Sequence, residues 1–281
     1  MPRFAANLHY LFTEVPFLDR FQAAGEAGFR GVEFQVPFDY PAAELRARLD
    51  ANGLTMALFD APMGSWAAGD RGLAALPGRE AEFRAGLPRA AQYAEALQCQ
   101  LVHVMAGVVP ASVHLEDAER VYIENLRYAA QFFKPHGVQV VIEPINRQLG
   151  AAPGGPAYTT QGMYGYFLNH TAQARQVIEA VGSDNLFLHL DVYHMQLTEG
   201  HLSATIRESF AQLKHVQIAG VPGRHEPSVG EINYPYLFNL LDELGYGGWV
   251  GCEYRPLGKT LDGLGWAGHY GIGNQAMATV S

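Results

Sequence analysis

The sequence predicts a single (β/α)8 TIM barrel, and three observations carry that expectation. Four times, in EAGFRGVEF, LDANGLTMALF, KPHGVQVVIE and LDELGYGGWVGCE, an amphipathic run ends at glycine and turns at once into a β-rich run. Glycine just past a helix accepts the left-handed backbone that such a connection needs, so its recurrence marks alternating α/β architecture. Eight strand candidates recur at spacings of 24 to 47 residues. The 281 residues show no midway break in composition, and a barrel of this kind needs about 250. Residues 1–281 are therefore expected to form one domain.

In chain order the strands begin near Phe4, Gly31, Thr55, Leu101, Gln139, Leu186, His215 and Gly248. Every gap leaves room for a helix. AELRARLDANG supplies one before the third strand, and LEDAERVYIENLRYAAQFF one before the fifth. A doubly wound sheet is the competing architecture. It loses its usual nucleotide-binding versions, because no GxGxxG follows the first strand and no GxxxxGK[ST] occurs. Residues 150–165, GAAPGGPAYTTQGMYG, follow the fifth strand and are expected to form a mobile lid over the barrel mouth. Tyr158, Tyr164 and Tyr166 would supply its contact surface. Loops at barrel mouths also build subunit contacts, so a homo-oligomer is the other reading of that segment.

Composition narrows the function. A net charge of −9 and a pI near 5.6 argue against a nucleic-acid or anionic-membrane surface, which needs clustered Lys and Arg. Cys99 and Cys252 stand far apart with no CxxC, so neither a disulfide framework nor a thiolate metal site is indicated. No signal-peptide pattern opens the chain and no apolar run approaches the roughly 18 residues of a membrane span. A cytoplasmic location is the expectation.

Candidate chemistry emerges at the strand ends. In QVVIEPIN, Glu143 ends a strand that ought to be buried, and a lone buried carboxylate costs several kcal/mol unless it is paired or metal-bound, on the order of the penalty for an unpaired buried ion. Strand side chains alternate between faces. Val140 and Ile142 oppose Val141 and Glu143; Leu188 and Leu190 oppose His189 and Asp191; Val216 and Ile218 oppose His215 and Gln217; Val250 and Cys252 oppose Gly251 and Glu253. If the apolar sets face the helices, Glu143, Asp191, Gln217 and Glu253 meet at the C-terminal mouth, where barrel enzymes hold their active sites. Three carboxylates and an amide oxygen suit a hard cation, Mg²⁺ or Mn²⁺. Taken singly, each has a plainer reading. Asp191 is a helix cap, His194 caps the next helix, His103 is a core histidine, and Arg224 is a surface residue paired with Glu226 or Glu231. Asn7 and His9 are weaker candidates at the end of the first strand.

IEPIN, LDVYHMQ, the block from HVQIAGVPGRHEPSVGEINYPYLFNLLDELGYGGWVGCEYRP and the following GLGW resemble the hydroxypyruvate isomerase family of the xylose-isomerase-like barrels. The likeness is strongest from residue 139 to 266, and NLHYLF and VHVMAG extend it over most of the chain. The resemblance implies a divalent metal, Mg²⁺ or Mn²⁺, held by Glu143, Asp191, Gln217 and Glu253, with Glu143 and Glu253 also exchanging protons with substrate. By similarity with sugar epimerases of the same superfamily, His194 and Arg224 would hold substrate oxygens. The implied reaction converts a small hydroxy-carbonyl acid, hydroxypyruvate to 2-hydroxy-3-oxopropanoate, through a cis-enediolate. A 2-oxotetronate isomerase or a ketose 3-epimerase would use the same ligands. A non-catalytic sugar-binding protein would need no paired glutamates. A metal-dependent endonuclease would need more ligands and a basic groove. The Gly/Pro segment after IEPIN departs from the family pattern at the place where substrate identity would be set.

Overall fold

β1 (Arg3–Asn7), β2 (Gly31–Glu33), β3 (Thr55–Asp60), β4 (Leu101–His103), β5 (Gln139–Ile142), β6 (Leu186–Asp191), β7 (Leu213–Ile218) and β8 (Trp249–Cys252) form a closed parallel barrel in chain order. The computed structural model describes residues 1–147 and 163–273. β1 pairs with β2 and also with β8, Ala5 opposite both Gly31 and Gly251, so the sheet has no free edge. That closure establishes the (β/α)8 barrel and excludes the doubly wound alternative, whose sheet is open. All eight strands start within two residues of the positions read from the sequence.

Around the barrel lie α1 (Arg20–Glu26), α2 (Ala42–Ala51), α3 (Glu80–Leu97), α4 (Leu115–Phe133), α5 (Thr171–Val181), α6 (Val192–Thr198), α7 (Leu202–Ser209) and α8 (Tyr234–Glu243). Among the described residues they do not follow one per strand. Both α6 and α7 follow β6, and the 3-10 segment Thr260–Tyr270 stands after β8. α4 shows the local logic. Ala118, Val121, Tyr122, Asn125, Leu126, Ala129, Ala130 and Phe133 are buried at three- and four-residue spacing, while Glu116 and Asp117 complement the N-terminal dipole. The first junction glycine, Gly28, has φ 99°, and a Cβ there would lie 2.4 Å from the Gly271 carbonyl oxygen. Only glycine joins α1 to β2 in that space. Its three counterparts, Gly53, Gly137 and Gly245, are likewise left-handed, at 61°, 68° and 76°.

The barrel interior is filled by complementary sizes. Gly31 leaves room for Trp249, whose ring a Cβ would meet at 2.7 Å, and Arg3 lies over that ring at 4.8 Å. Higher up, a Cβ on Gly251 would fall 2.3 Å from the Glu33 carboxylate. Three imidazoles form a layer across the interior: His189 meets His103 edge-on at 5.4 Å and His215 at 4.9 Å. Cys99 and Cys252 are free and buried. No described helix is long and apolar enough to cross a membrane.

Residues 150–162 of the expected lid, Tyr158 among them, lie outside the described residues. At the described end Tyr164 is 72% exposed. Tyr166 corrects the expectation. It is fully buried, its hydroxyl accepts from Ala106 N at 2.9 Å, and its carbonyl accepts from Arg147 Nε at 2.6 Å, so it is a core residue. An aromatic ring with a polar tip serves either a core or a surface, and only its partners decide which.

Gly251→Ala would push a methyl group into Glu33, and we expect a loss of about 1–3 kcal/mol, the usual cost of overpacking. Denaturant unfolding measures it; wild-type stability would mean that β8 does not press on Glu33.

Candidate active site at the barrel mouth

A cavity of about 670 Å³ opens at the C-terminal ends of the strands. Of the six residues singled out from the sequence, Glu143, His194, Gln217, Arg224 and Glu253 line it; Asp191 lies behind, bonded to Arg224. Local rules of the chain put them there. Glu143 follows the last residue of β5 and precedes Pro144, which has no N–H to continue the ladder, so the strand ends with the carboxylate at the mouth. Asp191 ends β6 and also caps α6, its Oδ1 accepting from Tyr193 N at 2.8 Å. The cap and the site role therefore coexist, one oxygen for each. His194, three residues on and one helical turn away, brings Nε2 to 3.5 Å from Asp191 Oδ2. Gln217 on β7 pairs in register with Asp191.

Arg224 is not the surface residue that its loop position allowed. It is 4% exposed and sits in a turn where its own φ is 57° and Gly220 N donates to His225 O at 2.8 Å. Its Nη2 donates to Asp191 Oδ2 at 3.0 Å and to Glu253 Oε2 at 2.8 Å. The Tyr10 and Tyr193 rings lie 5.4 and 5.1 Å from the guanidinium carbon. One cation thus bridges the ends of β6 and β8. Glu231, one of its two alternative partners, instead accepts from Gln196.

Glu143 is the least satisfied of the carboxylates. Its Oε1 makes no hydrogen bond among the described residues. His103, His189 and His194 present ring nitrogens at 3.9, 3.8 and 3.9 Å, close but not bonded. Burial pushes its pKa well above the usual carboxylate range, and the charges of Asp191 and Glu253 push it further. Burial likewise lifts Glu253, to about 8, and lifts Asp191, in both cases outweighing the lowering effect of Arg224. His194 and His189 are driven well below their ordinary value by burial, so both rings are neutral. Asn146 faces His194 Nδ1 with its amide nitrogen at 2.6 Å; Nδ1 then accepts, and the ring proton sits on Nε2, toward the carboxylates.

A supporting group escaped the strand-end reading. Glu33 on β2 accepts from Asn7 Nδ2 at 3.0 Å, from Gln217 Nε2 at 2.6 Å and from His215 Nε2 at 2.7 Å. Gln217 is therefore oriented by its amide nitrogen, and its Oε1 makes no hydrogen bond among the described residues. Gln35 donates to Glu253 Oε1 at 2.8 Å, and Asp60 holds His103 Nδ1 at 2.9 Å. The alternation applied to the last four strands marks Glu33 as well, since it opposes Val32 and shares the parity of Gly31. Asp60, which ends β3 opposed to Ala57 and Phe59, carries the same signal, whereas Gln35 and Asn146 have none, because their role depends on which neighbour they reach.

These residues fit a divalent cation. Three buried carboxylates with raised proton affinity, together with unbonded oxygens on Glu143 and Gln217, form a hard-donor set whose negative charges outnumber the one cation bonded to it, Arg224. Potential ligand atoms of Glu143, Asp191 and His194 lie within 4.8 Å of one another, and so do those of His103, Glu143 and His189. Glu143 belongs to both groups. His194 therefore stands as near the carboxylates as a metal ligand would, besides its expected place beside substrate. Glu253 is drawn instead toward Arg224.

Residues 21–268 match the family model described as the xylose isomerase-like TIM barrel. The 2-oxo-tetronate isomerase of Cupriavidus necator is 52% identical over 270 residues, covering 96% of this chain and 99% of the relative. The hydroxypyruvate isomerase of Escherichia coli is 43% identical over 96% of this chain and all of the relative. A crystal structure titled AP endonuclease, family 2, from Brucella melitensis superposes with a TM-score of 0.90 at 47% identity, covering 96% and 99% of the two chains. The closed eight-stranded barrel, the match along most of its length and these full-length relatives agree: the chain belongs to the xylose isomerase-like TIM barrel family and is an isomerase of its hydroxypyruvate and 2-oxo-tetronate isomerase group.

Proposed function

We propose that the protein moves the carbonyl of a small 2-oxo-3-hydroxy acid to the neighbouring carbon, with Glu143 and Glu253 exchanging the proton. One observation carries this reading. Two glutamates from different strands face one cavity, and both hold their protons far more tightly than exposed carboxylates do. A carboxylate whose pKa is raised toward neutrality can take a proton from carbon and return it, which a fully ionised surface glutamate does poorly.

The transfer takes a proton from C3, leaves a cis-enediolate and delivers a proton to C2, while the C3 hydroxyl gives up its proton and the C2 oxygen takes one, so that C3 ends as the carbonyl and C2 as the alcohol. His194 Nε2–H and the Arg224 guanidinium donate toward substrate oxygens and hold the two reacting carbons between the glutamates. The neutral imidazole donates without competing for the transferred proton. Asn146 fixes its tautomer, and Gln35 fixes the Glu253 carboxylate. Glu143, Asp191, Gln217 and Glu253 would hold Mg²⁺ or Mn²⁺, whose chemistry when bound is Lewis-acid stabilisation of negative charge on substrate oxygen.

Hydroxypyruvate and 2-oxotetronate share the reacting C2–C3 unit and differ by one hydroxymethyl group. The relatives named 2-oxo-tetronate isomerase reach 52% identity against 43% for the bacterial hydroxypyruvate isomerase, which favours the four-carbon acid, with hydroxypyruvate as the second reading. Kinetics on both decide between them. The expected order in kcat/KM is 2-oxotetronate above hydroxypyruvate, and activity confined to neutral ketoses would refute the acid class altogether.

Glu253→Gln and Glu143→Gln keep a ligand oxygen and remove the base. Each should lower kcat at least about 10²-fold, the low end of a general acid/base contribution, and solvent deuterium exchange into substrate should slow with it. Turnover near wild type would make either glutamate structural.

Chelation should lower the melting temperature as well as abolish turnover, and added Mg²⁺ or Mn²⁺ should restore both. A cation at 100 times its Kd stabilises the folded state by about 2.7 kcal/mol. A melting curve indifferent to chelator and to both ions would rule the metal out.

A further inference from the structure

The charge balance of the cavity leaves one side chain over. Glu14, Glu33, Asp60, Glu143 and Glu253 all line it, and against them stand two arginines, Arg224 and Arg255. Arg224 is committed, its Nη2 donating to both Asp191 and Glu253. Arg255 makes no ion pair among the described residues, and residues 148–162 and 274–281 contain no Asp or Glu. Among the imidazoles that also line the cavity, His9 has its pKa lowered by burial and is neutral, and His103 is bonded to Asp60. A ring of carboxylates repels an acid and tolerates a neutral sugar, so a site for an acid needs positive charge that its own carboxylates have not consumed.

The position of Arg255 suits that role. It follows Glu253 by two residues, which places it one step outward in an extended chain, about 6–7 Å at roughly 3.3 Å per residue. Its main chain is pinned on both sides: Arg255 N donates to Arg224 O at 2.8 Å, and His225 Nδ1 donates to Arg255 O at 2.9 Å. The guanidinium carbon lies 5.9 Å from the Tyr10 ring, whose other neighbour is Arg224 at 5.4 Å. Tyr10 thus neighbours both cations, the buried Arg224 already bonded to two carboxylates and the exposed Arg255. An arginine fork binds a carboxylate through two parallel N–H donors, and the exposed head of Arg255 is free to turn to one.

We infer that Arg255 is the carboxylate anchor of this cavity and the residue that selects a 2-oxo acid over a neutral ketose. The inference rests on the proposed function for its substrate class. It adds which side chain reads the acid end while C2 and C3 lie between Glu143 and Glu253. D-Glycerate and glycerol differ only in a carboxylate against a hydroxymethyl group, and neither has a carbonyl to isomerise, so they report binding alone.

Calorimetric titration of wild type, Arg255→Gln and Arg255→Lys with both compounds, in buffer containing Mg²⁺, tests the anchor. Wild type should prefer glycerate. Arg255→Gln should cut the ratio of the two affinities at least about tenfold, as expected for a lost hydrogen bond to a charged group, and Arg255→Lys should keep part of it. With hydroxypyruvate the loss should fall on KM and leave kcat within about threefold, because binding of a non-reacting end is uniform between ground and transition states. No preference for glycerate in wild type, or an unchanged ratio in Arg255→Gln, overturns the anchor. The two readings fail separately. A glycerate preference lost in Arg255→Gln, with no isomerisation of any oxo acid by wild type, upholds the anchor and refutes the proposed reaction. Oxo-acid turnover with an unchanged KM in Arg255→Gln refutes the anchor and leaves the reaction standing.

Discussion

Glu33, Asp60, Glu143, Asp191 and Glu253 share one end of one barrel, all nearly removed from water, and their mutual repulsion is the constraint that the surrounding structure answers. Each would be costly alone. The answers differ by position. Glu33 takes three hydrogen bonds from Asn7, Gln217 and His215, Asp60 holds His103, and Asp191 and Glu253 share Arg224. Glu143 has no equivalent partner, only imidazoles at nearly 4 Å. The carboxylate left least satisfied by the protein is therefore the one with most capacity to interact with something that enters the cavity.

The same constraint orders the layers beneath. A carboxylate as deep as Glu33 needs space as well as donors, and Gly251 on β8, two strands away across β1, provides it. Gln217 spends its amide nitrogen on Glu33, which fixes the amide and leaves its oxygen unbonded among the described residues. Asn146 does for His194 what Glu33 does for Gln217, fixing which edge carries the proton. Polar groups in such a network specify one another's orientation, and removing one leaves its neighbours unsatisfied at a cost of about 1–3 kcal/mol each. Each side chain in such a network is held in one orientation by its neighbours, so the polar groups at the mouth are positioned by the protein itself.

Arginine does two jobs at this mouth because its two copies differ in company. Arg224 is buried, and the carboxylates of Glu253 and Asp191, with Tyr10, raise its pKa against the lowering effect of burial. It is a counter-charge to both carboxylates and lines the cavity beside them. Arg255 lies farther out with no carboxylate partner among the described residues. In a cavity whose charged wall residues are mainly acidic, such a difference decides which charge on a ligand is welcome.

The barrel and the chemical type of its mouth are legible along the chain before any contact across it is known. Four helix–glycine–strand junctions, eight strands and the alternation of apolar and polar residues are local properties, encoded in neighbours along the chain, and the structure reproduces them. Strand parity was enough to send Glu143, Gln217 and Glu253 to one cavity and to set Asp191 just behind it, where Arg224 ties it to Glu253. Which partner each of them meets depended on distances across the closed sheet. Arg224 could have been a surface residue until its turn folded over β6 and β8, and Tyr166 reads as a loop aromatic until Ala106 N is seen beside its hydroxyl. Asn146 and Gln35 carry no pattern at all, and the strand-end parity of Asp60 does not name His103 as its partner, since a hydrogen-bond partner from another strand leaves no period in the sequence. Closure of the barrel decided those contacts, because it brings residues far apart in the chain within 3 Å of one another and removes the water that would otherwise have satisfied them.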